Sequence, residues 1–257
     1  MNDTEQEVIP TVKLSEYRKV RPIVKKVEEK IGGDAKTRRL TRRAAAFASL
    51  QMQRKVEELE EHALEDSLTG LKNRRWFMQE METKMASSRR TNKPLFLIYI
   101  DYDDFKKYNT AFGHSGGDVI LQQIAKLPFR EDESIARLGG DEFGQLINRE
   151  ATEEDLRVMI IRYQEQIREE GNRVLTTLPH VTENLDPKEV PNSITLTFGV
   201  AKFDPSDSPK SFLKRANEAA HYVKRSGKNF VALGINTPEG SIKFRNLVNN
   251  GWFCTSS

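Results

Sequence analysis

The sequence contains one cysteine, Cys254, among its 257 residues. A lone thiol excludes an internal disulfide framework and fits a reducing compartment. Long apolar runs are missing as well. None approaches the roughly 18–20 residues needed to cross a bilayer, and no signal peptide opens the chain. A cytoplasmic protein without a membrane partner is expected. Nor is there an excess of one charge: 41 Lys and Arg face 38 Asp and Glu, a net of +3. That is too little to imply nucleic-acid binding. No internal repeat or low-complexity tract is present. What remains is an ordinary globular balance, 37% apolar and 31% charged, long enough for one main domain plus an extension.

Residues 1–64 read as a helical extension. Pro22 could start a short helix whose face is Ile23, Val24, Val27 and Ile31, stopped by Gly32-Gly33. A second helical run, from about Ala35 to Glu65, has no proline or glycine. In it Ala45, Ser49, Met52, Val56, Leu59 and Ala63 alternate spacings of four and three, the seam of a coiled coil. Half of these positions are small, so a single helix packing on its own domain fits equally well. Arg38, Arg39, Arg42 and Arg43 lie early and Glu57, Glu58, Glu60, Glu61 and Glu65 late, a solvated face that favours some helix pairings over others.

From residue 65 to about 235 strand and helix patterns alternate. LFLIYI (Leu95 to Ile100) is an unbroken apolar run suited to a strand buried on both faces. A helical stretch follows from about Gly116 to Lys126. Ile135 to Leu138 and Phe143 to Ile147 read as a hairpin around a Gly-Gly turn. Thr152 caps an amphipathic helix that ends near Gly171. Ile194 to Ala201 is a strand, Ser208-Pro209 opens a helix to about Arg225, and Phe230 to Leu233 is a last strand. The order predicts one sheet with helices packed on it. Residues 172–193 read as a long loop and 236–257 as a tail.

The chemistry concentrates in ARLGGDEFG, Ala136 to Gly144. Gly139 and Gly140 strip side chains from the turn, and Asp141 and Glu142 follow at once. Asp101 ends the buried strand, where a carboxylate can reach a ligand without entering the core. If the hairpin lies beside that strand, Asp101 and Glu142 converge with Asp141 nearby. Such acids stay ionised together only around a cation. Hard oxygen ligands select Mg²⁺ or Mn²⁺, and bare glycine backbone lets a triphosphate approach the N–H groups. Taken alone, an acidic turn is more often solvent-facing and idle.

Five segments in order change that judgement. ARLGGDEFG resembles the signature of the GGDEF family, the diguanylate cyclases that make cyclic di-GMP from two GTP. DSLTGLKNRR (Asp66 to Arg75) resembles the family's opening motif, and IDYDDFKKYNTAFGHSGGDVIL (Ile100 to Leu121) its metal and guanine segment. TLTFGVA (Thr195 to Ala201) and ANEAAHYVKRSGKN (Ala216 to Asn229) resemble its later strand and terminal helix.

The resemblance implies an α+β fold like the nucleotide-cyclase and polymerase palm, with a central, mostly antiparallel sheet of about five strands flanked by helices. It implies two Mg²⁺ (or Mn²⁺) per active site, release of two pyrophosphates, and a homodimer, since each domain binds only one GTP. Asp101 and Glu142 then match metal ligands, with the Tyr102 carbonyl assisting, and Asp141 matches the signature's first acid. Asn109 and Asp118 match the guanine-reading pair: an amide can donate to O6, and a carboxylate can accept from N1–H and the 2-amine.

Lys106 matches a position near the phosphates, and Lys224 and Lys228 match the basic pair on the β- and γ-phosphates. The family more often has Arg at the second, so lysine here loses the bidentate fork. Thr110 replaces a usual Asp, and Asn217 and His221 a usual Asp and Tyr. His114 in the GHSGGD turn suits a structural hydrogen-bond partner better than a catalyst. Arg130 and Glu133 fall where many members carry an inhibitory Arg-x-x-Asp. Rival expectations are a module that binds GTP or cyclic di-GMP without turnover, a structural adaptor, and a cyclase making mixed dinucleotides.

Overall fold

The computed structural model describes residues 14–31, 34–179, 191–227, 230–236 and 242–247. The chain divides into two compact units, Met1–Ala63 and Leu64–Ser257.

Among the described residues the first unit holds two helices, α1 (Leu14–Ile31) and α2 (Ala35–His62). Asp34 caps α2, its carboxylate accepting from Thr37 N–H at 2.7 Å. Val20 and Val24 of α1 bury themselves against Ala46, with Ala45 and Leu50 beside them. Pro22 lies inside α1 rather than at its start. The apolar residues flanking it, Val20 and Val24, hold the helix across the missing backbone donor. Met52 and Val56 of the expected seam are exposed.

The second unit is built on one sheet, ordered β1-β3-β4-β2-β5-β6-β7. Its strands are β1 (Lys72–Asn73), β2 (Phe96–Tyr102), β3 (Ser134–Gly139), β4 (Glu142–Ile147), β5 (Leu196–Lys202), β6 (Val231–Asn236) and β7 (Ile242–Asn246). Its helices are α3 (Arg74–Thr91), α4 (Phe105–Leu121), α5 (Glu153–Leu175) and α6 (Pro209–Ser226), with a 3₁₀ turn at Gln122–Lys126.

The expected five-stranded sheet is therefore corrected to seven strands with mixed pairing. β1 joins β3 and β6 joins β5 in parallel, while the other four pairings are antiparallel. The two extra strands are the sheet's edges. β1 has only two residues, too few to show a period of two. β7 comes from the segment read as a tail and is fastened by Phe244, whose ring stacks on Tyr222 at 4.8 Å, and by Leu247, buried in the main core.

β2 is the central strand and every one of its residues is buried. Alternation sends Leu97 and Tyr99 toward α3 and α6, among Phe77, Met81, Phe212 and Ala216. It sends Ile98, Ile100 and Tyr102 toward α4 and α5, among Phe112, Ile120, Ile160 and Tyr163. Burying each such side chain contributes about 1.5–3 kcal/mol. The helix starts are local. Thr152 with Asp155 and Ser208 with Ser211 form capping boxes on α5 and α6. Gly171 does not end α5, which runs on to Leu175. It is bare because a Cβ there would lie 2.6 Å from Ile194 Cδ1. Close packing, not chain reversal, requires that glycine.

Candidate active site

Register sets the two carboxylates. Asp101, near the end of β2, stands directly opposite Glu142, the first residue of β4, so both side chains leave the same face of the sheet. Tyr99, two residues back along β2, shares that face, and the Glu142 and Asp101 carboxylates act electrostatically on its hydroxyl. Burial, then the Glu142 and Asp101 carboxylates, push the Tyr99 pKa far up, so the phenol stays a donor. Asp101 is 5% exposed. Its pKa is pushed up to about 6, mainly by burial, with Asp141 and Glu142 adding to the rise and the Lys224 ammonium opposing it.

The turn before Glu142 is open. Gly139 and Gly140 have φ of 145° and 54°, and among the described residues, their chain neighbours aside, nothing lies within 4 Å of where a Cβ would stand on either. Those backbone angles suit glycine and leave the peptide face free. Arg137 clamps the turn from below: its guanidinium donates to the Gly140 carbonyl at 2.9 and 2.7 Å and to the Asp66 carboxylate at 3.2 and 3.3 Å. Asp66 also accepts from Thr69 N–H and Oγ1, at 2.9 and 2.7 Å. The two motifs DSLTG and ARLGGDEFG are thus physically joined. Nothing in the spacing signals this clamp; only the charge pair Asp66 and Arg137, one in each motif, could have suggested it.

α6 approaches from the same face as Asp101. A Cβ on Gly199 of β5 would lie 2.0 Å from Ala216 O and 2.4 Å from Ala220 N, so the helix backbone rests directly on the strand. One turn further on, Lys224 Nζ lies 3.0 Å from the Tyr102 carbonyl oxygen and 2.6 Å from Asp101 Oδ1. The second contact is a close charge pair rather than a directed hydrogen bond, for the buried Asp101 Oδ1 has no aligned donor.

Two carboxylates and a carbonyl, with one buried oxygen still short of a directed partner, form an all-oxygen donor set that fits a hard divalent cation. Among the described residues no three His, Cys, Asp or Glu side chains gather closely enough to enclose a metal. Water and substrate phosphates would have to complete such a shell, as is usual for Mg²⁺.

α4 carries the base-reading candidates. Gly113, with φ 69° and ψ 174°, kinks it into two segments, Asn109 on the first and Asp118 on the second. A Cβ on Gly117 would lie 1.9 Å from Asn109 Oδ1. The Asn109 carboxamide therefore lies over bare backbone next to Asp118, and Gly117 is a positioning residue that spacing alone did not reveal. Asp118, Lys106 and His114 are exposed. The start of α4 is tied to β5 by Asp103, also missed from sequence, which is buried and accepts from Thr195 and Thr197 hydroxyls at 2.8 and 2.7 Å. Lys228 lies outside the described residues.

Arg130 and Glu133 stand at a separate corner. The Arg130 side chain is exposed, whereas Glu133 is buried. Its carboxylate accepts from Arg149 at 2.9 Å, Gln145 at 2.8 Å, Tyr163 at 3.4 Å and the Arg130 backbone N–H at 3.2 Å. A cavity of about 240 Å³ lies beside them, bordered by Arg130, Arg149, Arg162 and Asp155.

Residues 63–230 match the family model described as "Diguanylate cyclase, GGDEF domain". The chain is 30% identical over 177 residues to diguanylate cyclase DgcP of Pseudomonas aeruginosa, covering 68% of this chain and 24% of that protein. It is 33% identical over 175 residues to response regulator PleD of Caulobacter vibrioides, covering 66% and 36%. The chain thus spans only about a quarter to a third of these relatives. Among solved structures, the coiled coil and GGDEF domain of DgcB from Caulobacter crescentus, in complex with c-di-GMP, superposes with a TM-score of 0.62 at 28% identity. That match covers 78% of this chain and 100% of DgcB's. Among the described residues no helix is long and apolar enough to cross a membrane.

Proposed function

This chain belongs to the GGDEF family of diguanylate cyclases, and we propose that it condenses two GTP into cyclic di-GMP with release of two pyrophosphates. The observation that carries the reading is the register of Asp101 against Glu142, beside the bare, clamped Gly139–Gly140 turn.

Asp101, Glu142 and the Tyr102 carbonyl would hold a divalent cation, Mg²⁺ or Mn²⁺, which when bound supplies Lewis acidity at the reacting phosphate. Tyr99 keeps its proton on the same face of the sheet, where the Glu142 and Asp101 carboxylates bear on it. The open peptides of Gly139 and Gly140 receive phosphate oxygens, with Asp141 at the turn's tip. Lys224 and Lys228 supply cationic partners for the β- and γ-phosphates, with Lys106 near the phosphates. Asn109 donates to guanine O6 while Asp118 accepts from N1–H and the 2-amine. The 3′-oxygen of each nucleotide attacks the α-phosphorus of the other, its proton goes to solvent or a basic oxygen, and pyrophosphate leaves in line.

One domain offers one base-reading pair, so two protomers must face each other, as a homodimer. Residues 1–64 would raise the local concentration of the partner domain. On this reading the reaction itself calls for neither nucleic acid nor a membrane, and cytoplasmic GTP would supply it.

Purified protein with GTP and Mg²⁺ should release pyrophosphate and yield cyclic di-GMP on chromatography, with specific activity rising with protein concentration. Removing residues 1–60 should lower activity at micromolar protein and spare GTP binding. GTP binding without pyrophosphate release at any concentration would replace this reading with a nucleotide-binding module.

A further inference from the structure

The ammonium of Lys224 sits on two of the three groups assigned to the divalent cation. It lies 2.6 Å from Asp101 Oδ1 and 3.0 Å from the Tyr102 carbonyl oxygen. Charge explains why something must. Asp101 is buried with Asp141 and Glu142 close enough to repel it, and a buried carboxylate without a counter-charge is costly. Among the described residues, Arg74 is a further cation felt in this neighbourhood, at Tyr99.

Two features make Lys224 a loose counter-ion rather than a fixed one. Its contact with Asp101 lacks hydrogen-bond alignment, and its side chain keeps 24% of its surface in solvent. Its stem is flexible, whereas the helix beneath it is not free to shift, pressed backbone to backbone on Gly199.

We propose that Lys224 is the site's exchangeable counter-ion, seated on Asp101 and the Tyr102 carbonyl until a divalent cation displaces it toward the incoming triphosphate. This rests on the reading that Asp101 and Glu142 hold the metal. An ammonium seated on these two groups repels a divalent ion drawn to the same oxygens, so each disfavours the other's occupancy. The arriving metal releases a positive charge just where the β- and γ-phosphates need one, and the phosphates in turn keep it from returning. Metal and triphosphate therefore favour each other's binding without any movement of backbone.

The test uses the full chain without nucleotide and Mn²⁺ as probe. Lys224→Met keeps the stem and removes the competing charge, so it should bind Mn²⁺ about ten-fold more tightly than wild type, the scale on which groups around a metal's ligands alter affinity. Lys224→Arg, which retains the charge, should not gain. A second measurement needs no substitution. Lys224 should react slowly with an amine-acylating reagent compared with exposed Lys106, and Mn²⁺ alone should speed its labelling, read by mass spectrometry. If Mn²⁺ binds wild type and Lys224→Met equally, or binds without changing Lys224 labelling, the exchange is wrong while the metal assignment stands. If Mn²⁺ binds neither protein, the metal assignment falls and takes the exchange with it.

Discussion

Two buried carboxylates at different corners of the sheet are dressed very differently. Glu133 has both oxygens filled by an arginine, an amide, a phenol and a backbone N–H. Asp101 has one loosely aligned ammonium and two acidic neighbours that raise its pKa. A carboxylate surrounded by directed donors holds structure together. One left partly unsatisfied, beside a bare glycine turn, is the kind of group that the proposed reading assigns to a partner from solution.

The comparison is broken most severely at Glu142, the register partner of Asp101. Glu142→Gln keeps shape and removes charge, so turnover should fall by at least about 10²-fold while the fold persists, the scale for losing a main electrostatic contributor. Near-normal cyclic di-GMP production by that variant would remove Glu142 from the metal site.

Stability separates the two corners directly. Glu133→Gln strands Arg149 and disrupts a filled network, and should cost about 2–4 kcal/mol in urea unfolding of the metal-free protein. Asp101→Asn removes a charge that burial already disfavours and frees a lysine that can turn to water. Its cost should stay below about 1 kcal/mol. Equal losses would mean the two carboxylates are not different in kind.

Base choice is a smaller effect. On the proposed reading Asp118 would offer two acceptors to guanine, while adenine lacks both N1–H and the 2-amine, a difference worth roughly 1–3 kcal/mol. From equal GTP and ATP the main product should be cyclic di-GMP, and Asp118→Ser should shift product toward the mixed dinucleotide. A wild type that makes mostly mixed product on chromatography would overturn this role.

The smallest effect belongs to the Arg130 corner. With Glu133 turned inward onto Arg149, Gln145 and Tyr163, a ligand outside finds Arg130 without its acidic companion. Product inhibition should be weak, and Arg130→Ala should change it by less than about two-fold. Tight submicromolar inhibition abolished by Arg130→Ala would show that Glu133 swings out.

How much of this was legible in sequence depended on the range of the interaction. The unbroken run in β2 announced burial on both faces, and Thr152 and Ser208 announced helix starts, because apolar pattern and capping are short-range. Gly139-Gly140 announced a turn of bare backbone, because positive φ favours glycine. What stayed hidden was tertiary. Gly171 looks the same whether it ends a helix or admits Ile194. β1 is too short for any periodicity, and β7 pairs only because β6 offers it an edge. Glu133 reads as a surface acid until Arg149, sixteen residues on, is folded over it. Lys224 reads as a phosphate ligand, and its present seat follows only from how closely α6 lies on Gly199.

β7 has a further consequence, for solubility. It covers β6, VALGIN, from Ala232 to Asn236, and puts Lys243 and Arg245 on the sheet's outermost strand. Charged residues on an edge are a common defence against pairing with another chain. A protein cut after Asn236 would instead offer an uncharged row of unpaired N–H and C=O groups to any extended segment nearby. The family match stops at residue 230, so a domain trimmed to the match would lose the strand that keeps its sheet from acting as a template for aggregation.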